Sequence, residues 1–258
     1  MTDMKSRVAA LALACIAAPV VAQTVVQPQP AEALQRDLAA WTHSLAEQHA
    51  TESRTAAANR APAIQGHVEI ISLAELDAPA SIKENMAEGI KKRSRGTLDV
   101  AAGTIPSTSE VIAGLSPVRR SDSELKRRLS YAPADISRTP IGAAELLSTE
   151  PNGTVSGDRS TGVSRVYRIP NVGLVILSED DYLASRTKHT LIRETLNTQV
   201  NGVPARSYAA RSKDGKGKAE LRWITSNRAY LLTLLSDDGG HIEEGEQMLM
   251  QIAKGIAR

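Results

Sequence analysis

Ser185-Arg186-Thr187-Lys188 has the Ser-x-x-Lys spacing in which a lysine one helical turn on activates a serine nucleophile. Here it falls between strand-forming stretches and no Lys-Thr-Gly follows, so the spacing reads as a chance match. No Gly-x-Ser-x-Gly elbow is present. Gly215 and Gly217 precede no helix that would make a phosphate-cradling loop. His241-Ile242-Glu243-Glu244 offers metal-ligand types, but without a second His or Cys at ligand spacing it reads as the acidic start of a helix. His43 and His49 stand six apart, which puts them on different helical faces. Glu179-Asp180-Asp181 and Asp237-Asp238 crowd carboxylates at adjacent positions, whereas calcium needs six or more oxygens from spaced ones. The residues therefore point away from catalysis, and no metal or cofactor is expected.

The stronger signal is basic. Lys91, Lys92, Arg93 and Arg95 close one helical stretch, Arg119 and Arg120 precede another, and Lys126, Arg127 and Arg128 close it. With Lys83 they outnumber the carboxylates of the same stretch (Glu84, Glu88, Asp99, Glu110, Asp122 and Glu124) by four. Cations at helix C-termini also serve the helix dipole. The functional reading is a surface for an anionic partner, either an envelope protein or an anionic envelope component. Nucleic acid is disfavoured because no aromatic residue in that stretch can stack on a base.

Lys5 and Arg7, the apolar run Val8 to Val21 and the small-residue site Val20-Val21-Ala22 make an export signal over residues 1–22. Cys15 also allows a lipidated start, although apolar sequence follows it. Cleavage after Ala22 would remove the chain's one cysteine, and with it disulfide and thiolate chemistry. No second apolar stretch reaches the length of a membrane span. The expected location is periplasmic or secreted. The overall charge of +2 and an aromatic content of 3%, with no Phe, argue against a global polyanion binder and against a large aromatic-lined pocket.

Several elements must position these groups. Residues 23–62 read as a tether, Gln27-Pro28-Gln29-Pro30, and a helical arm whose Leu34, Leu38, Trp41 and Leu45 share one face. That stripe either docks on the same chain or drives self-association. Residues 63–162 read as a mixed, loop-rich middle region. It holds a strand at His67 to Ile71 and a helix opened by a Ser81/Glu84 capping box and carrying Ile82, Met86 and Ile90. A short strand at Leu98 to Ala101 and a short basic helix opened by a Ser121/Glu124 box follow. Past Tyr131 the middle region is mostly loop, with a helical turn at Thr139-Pro140, and the polar string Asn152 to Gly162 reads as a boundary or mobile loop.

Residues 163–258 carry the clearest pattern: short strands punctuated by Pro170-Asn171, Asn201-Gly202, Asp214-Gly215-Lys216-Gly217 and Ser226-Asn227, with Thr190 to Val200 as one long strand. A closing helix with Leu249, Ile252 and Ile256 on one side, supported by Met248, would cover their apolar layer. The fold class is α+β, an antiparallel meander sheet under a C-terminal helix with an N-terminal helical arm. The order Val200-Asn201-Gly202-Val203-Pro204-Ala205, Leu221-Arg222-Trp223, Tyr230-Leu231-Leu232 and the final helix resembles PsbP/Mog1-type extracytoplasmic modules over residues 164–258. The resemblance implies binding or adaptor work without catalysis. A cell-envelope hydrolase and a lipid or lipoprotein carrier are the alternatives.

Overall fold

The computed structural model describes residues 28–58 and 66–256. The export signal expected at 1–22, Cys15 and the Pro62 break lie outside the described residues. No helix among the described residues is long and apolar enough to cross a membrane.

Helix α1 (Pro28–Ala58) is the expected arm, but it begins at Pro28, within the stretch expected to be a tether. Leu34, Leu38, Trp41 and Leu45 are partly buried, and the helix lies against a second one, so its stripe meets this same chain. After strand β1 (His67–Ile71), helix α2 (Ala80–Arg93) begins two residues earlier than its Ser81/Glu84 signature implies. Pro79 occupies the cap position with φ −53° and ψ 149°, a conformation that proline already favours. Ser81 is thereby drawn into the first turn and does not cap. Its hydroxyl instead donates to Asp37 of α1 at 2.5 Å, and the Trp41 indole donates to the Asp77 carbonyl at 2.7 Å. These two bonds fasten the arm.

Strand β2 (Leu98–Val100) is as expected, but helix α3 (Thr108–Gly114) was hidden by its Pro, Ser and Thr neighbours. Ser107 and Glu110 form a reciprocal capping box at its start, as Ser121 and Glu124 do for helix α4 (Asp122–Arg128). Thr139 and Pro140 sit in a run of turns, with no helix.

The largest departure from expectation is the polar string at 152–162, which is neither boundary nor loop. Strands β3 (Glu145–Ser156) and β4 (Arg159–Ile169) pair through it as a hairpin, turning at Gly157 with φ 61°. Its tip is exposed, so nothing there demands an apolar alternation that sequence could display. Gly153, at φ 67° beside a register shift, is required: a Cβ there would stand 2.2 Å from Thr161 Oγ1 and 2.3 Å from Asp180 Oδ1.

Strand β5 (Gly173–Asp180) follows the Pro170-Asn171 turn. The long strand expected over Thr190 to Val200 is divided in two. Strand β6 (Lys188–Ile192) pairs in parallel with β1, a 3-10 turn spans Arg193–Thr195, and strand β7 (Thr198–Val200) belongs to the main sheet. Glu194 explains the break, because its carboxylate accepts the Leu73 amide at 2.9 Å and turns the chain there. Strands β8 (Val203–Ser212), β9 (Gly217–Ile224) and β10 (Ala229–Ser236) follow the expected turns, and Asn201 and Gly202 have φ 48° and 84° as the tight hairpin requires.

The eight-stranded sheet has the order β2-β8-β9-β10-β5-β4-β3, with β7 also on β8. Two meanders, β3-β4-β5 and β8-β9-β10, meet edge to edge at β5 and β10. Only β2 pairs in parallel, onto β8. Helix α5 (Ile242–Ile256) lies across β8, β9 and β10, and its Leu249 and Ile252 are fully buried among Leu221, Trp223 and Leu232.

Candidate functional site

Strand alternation gives the sheet two faces of different chemistry. On the α5 face, register aligns Ala205, Trp223, Tyr230, Glu179 and Val163 in one row and Ser207, Leu221, Leu232, Leu177 and Arg165 in the next. Past the reach of α5 these rows become charged. Arg165 and Glu179 are buried and paired at 2.7 Å. Chain segment 130–134 straps over them: the Ala134 amide donates to Glu179, its carbonyl accepts from Arg165, and the Tyr131 hydroxyl donates to the Glu179 carbonyl. Arg228 lies over the Tyr131 ring, 4.4 Å from its centre. The pair is enclosed on all sides, which suits a structural clasp.

The other face is apolar where α3 covers it, with Val111, Ile112 and Leu115 on Leu147, Val166 and Leu174. Elsewhere it is polar and partly open. Register sets Arg206 of β8 directly opposite Arg222 of β9, and alternation puts Tyr208 and Glu220 beside them. Arg93, at the end of α2, comes down next to Arg206 and Tyr208. Arg222 approaches His189 Nδ1 at 3.3 Å.

The nine basic residues expected to form one surface divide between the two faces. Lys91, Lys92, Arg93 and Arg95 belong to the α2 end near β8. Lys126, Arg127 and Arg128 close α4, which packs on β4 through Leu125, Leu129 and Val163, while Arg119 and Arg120 precede it and Arg119 reaches Glu145 of β3. Four strand spacings, about 19 Å, separate β8 from β4. Several cations are engaged: Lys92 with Glu88 at 2.7 Å, Arg119 with Glu145 at 3.9 Å and Arg128 with Asp158 at 3.9 Å. Between α4 and the β3–β4 hairpin lies a cleft of about 110 Å³ lined by Arg120, Arg128, Arg159, Glu150 and Asp158, with exposed Val155 at its rim. Among the described residues, neither Arg120 nor Arg159 has a carboxylate within 4 Å.

Arg206, Arg222 and Arg159 escaped the sequence reading. The signal for the first two was present, since counting outward from the Asp214-Gly215 turn sets 206 against 222.

The residues weighed for catalysis are separated. Ser185 donates to Asp180 at 3.1 Å and meets Thr187, while Lys188 pairs with Glu69 at 2.9 Å. Burial lifts the Asp180 carboxyl above its ordinary range. Asp181 accepts from Ser130 and the Ala184 amide, Asp237 holds the start of α3 through Thr108, and Asp238 caps the turn at Gly240. His241 meets Glu244 at 3.2 Å on the surface. Among the described residues, no three His, Cys, Asp or Glu side chains form a group that could hold a metal.

Compared with known proteins, the chain matches no family model, no curated protein and no solved structure.

His189 gives this side of the molecule a pH signature. It is buried edge-on to Tyr182, with ring centres 5.4 Å apart, and its Nε2 has no partner among the described residues. Burial, then the Arg222 charge, pulls its pKa down to about 4. Below about pH 6.5 the unfolded chain takes up a proton that the folded chain refuses. Stability is thus fully present above that pH and is lost progressively toward pH 4, by about 2 kcal/mol once solvent screening is allowed for. Urea unfolding at pH 7 and pH 4.5 should show this loss, and His189→Phe, which keeps the ring but cannot be protonated, should flatten it. An equal loss in the variant would contradict the assignment.

Proposed function

We propose that this chain is an exported, non-catalytic binding or adaptor protein of the bacterial cell envelope, engaging an anionic partner through the cleft between α4 and the β3–β4 hairpin. The observation that carries this reading is the pair of arginines, Arg120 and Arg159, which line that cleft beside Arg128 and, among the described residues, have no carboxylate within 4 Å. At about 110 Å³ the cleft has the room of three or four water-sized groups, which fits an acidic side chain and is far below the 300 Å³ or more of a drug-sized ligand site. Lys126 and Arg127, exposed on α4, extend the positive field beyond it. The resemblance of residues 164–258 to PsbP/Mog1-type modules points the same way.

The two alternatives have less support. A lipid carrier would use the space between sheet and final helix, and that space is filled by Leu249 and Ile252. A hydrolase built on the Ser185-x-x-Lys188 spacing would need the lysine at the serine, and Lys188 pairs instead with Glu69 at 2.9 Å.

The test is capture from envelope extract with the chain as bait. Reversing Lys126, Arg127 and Arg128 to Glu should reduce recovery of the partner at least about tenfold. Undiminished capture would sink the proposed surface.

A further inference from the structure

His189 makes a hydrogen bond that only its neutral ring can accept. A guanidinium group offers N–H donors and no acceptor, so the Arg222 contact at 3.3 Å makes Nδ1 the acceptor and leaves the ring proton on Nε2. Nε2 is buried with no partner among the described residues. Protonation would turn Nδ1 into a second donor, facing that same guanidinium. The imidazolium would then hold two buried donors with no acceptor among the described residues, whatever else Arg222 touches. Arg222 faces the ring from β9 and Tyr182 faces it from the β5–β6 connection. On β1, alternation turns His67 and Glu69 to the other side of the ribbon, where Glu69 holds Lys188 at 2.9 Å. No carboxylate contributes to the titration of His189.

The ring sits where a small element rests on a large one. Among the described residues, β1 and β6 pair only with each other, as a parallel two-stranded sheet apart from the eight-stranded one. A ribbon of two strands is held by what it rests on. Here the seat is Arg222 and Tyr182, whose hydroxyl donates to the Thr225 carbonyl just past the end of β9. Gly66, one residue ahead of β1, lies so close that an added Cβ would stand 1.9 Å from the Tyr182 carbonyl oxygen. We propose that His189 is an acid-operated latch: its protonation releases the β1–β6 ribbon from Tyr182 and Arg222 as a local opening, while the β8-β9-β10 meander under α5 stays folded. In the released ribbon the imidazole is hydrated and titrates in its ordinary range, near 6.5. Acid therefore favours the open form from about pH 6.5 downward, by about thirtyfold at pH 4. The latch uses no residue of the α4 cleft, and either can fail without the other.

Hydrogen exchange of the full chain at pH 7 and pH 4, corrected for the intrinsic pH dependence of amide exchange and repeated in low concentrations of urea, tests the latch. Amides of 68–71 and 189–192 should lose protection about thirtyfold at pH 4. Their exchange should depend on urea far less than that of β9 and β10 amides, because a local opening exposes little surface. His189→Phe and His189→Gln, neither of which can take up the proton, should each remove the acid dependence; Gln keeps an acceptor for Arg222, so one informative variant remains if Phe disturbs the seat. Equal urea dependence for ribbon and meander amides would show that the ribbon opens only by global unfolding, and the latch would fall. Unchanged protection at pH 4, or the same acid loss in both variants, would overturn it as well.

Discussion

Replacing Glu179 with Leu is expected to lower the free energy of unfolding by about 3–5 kcal/mol. Glu179 is fully buried, and its two carboxylate oxygens answer Arg165 at 2.7 Å and the Ala134 amide at 2.8 Å. Without it the Arg165 guanidinium stays buried with only Asp122, 3.7 Å away on the surface, as a countercharge, and Arg165 Nε already lacks an acceptor. An unpaired buried charge is the main cost, and it is removed when the guanidinium goes too. The double variant Glu179→Leu/Arg165→Leu should therefore recover much of the loss, as apolar replacement of a buried pair often does. Urea unfolding of the four members of the cycle reads this directly. Additive losses would show that the two side chains are not coupled, and the clasp account would fall.

Trp223→Ala should cost a similar amount, about 3–5 kcal/mol. Trp223 is 1% exposed and stacks on Tyr230, ring centres 4.8 Å apart and planes within 9°, under helix α5. Its indole nitrogen has no hydrogen-bond partner among the described residues, so the contribution is packing alone. Trp223→Phe should consequently lose far less, under about 2 kcal/mol, since it keeps a ring in the stack and sacrifices no hydrogen bond. Equal losses for Ala and Phe would mean that the indole nitrogen, and not the ring, secures this part of the core.

These two sites differ sharply in how far sequence revealed them. The alternation of Leu221 and Trp223 against Tyr230, Leu232 and Leu234, and the stripe of Leu249, Ile252 and Ile256, specify a covered sheet because burial imposes a period on the residues. Arg165 and Glu179 occupy the same buried rows, yet a charged residue at an inward position reads as a break in the pattern until its partner on the neighbouring strand is known. The β3–β4 hairpin was missed for the converse reason: its exposed tip needs no apolar residues, and the Gly153 conformation answers to Thr161 and Asp180, which only the fold brings near. The basic stretch from Lys83 to Arg128 was legible as charge, but its division between two faces follows from strand order, which joins β5 to β10 and has no local signature.

Binding of a defined acidic probe reports on the α4 cleft itself. Fluorescence anisotropy of a labelled oligoglutamate peptide, titrated with the full chain at low and high salt, should show saturable binding that weakens as salt rises. The Lys126→Glu/Arg127→Glu/Arg128→Glu variant should lose that binding at least about tenfold. No binding by the natural sequence, or the same affinity in the variant at both salt concentrations, would contradict the account.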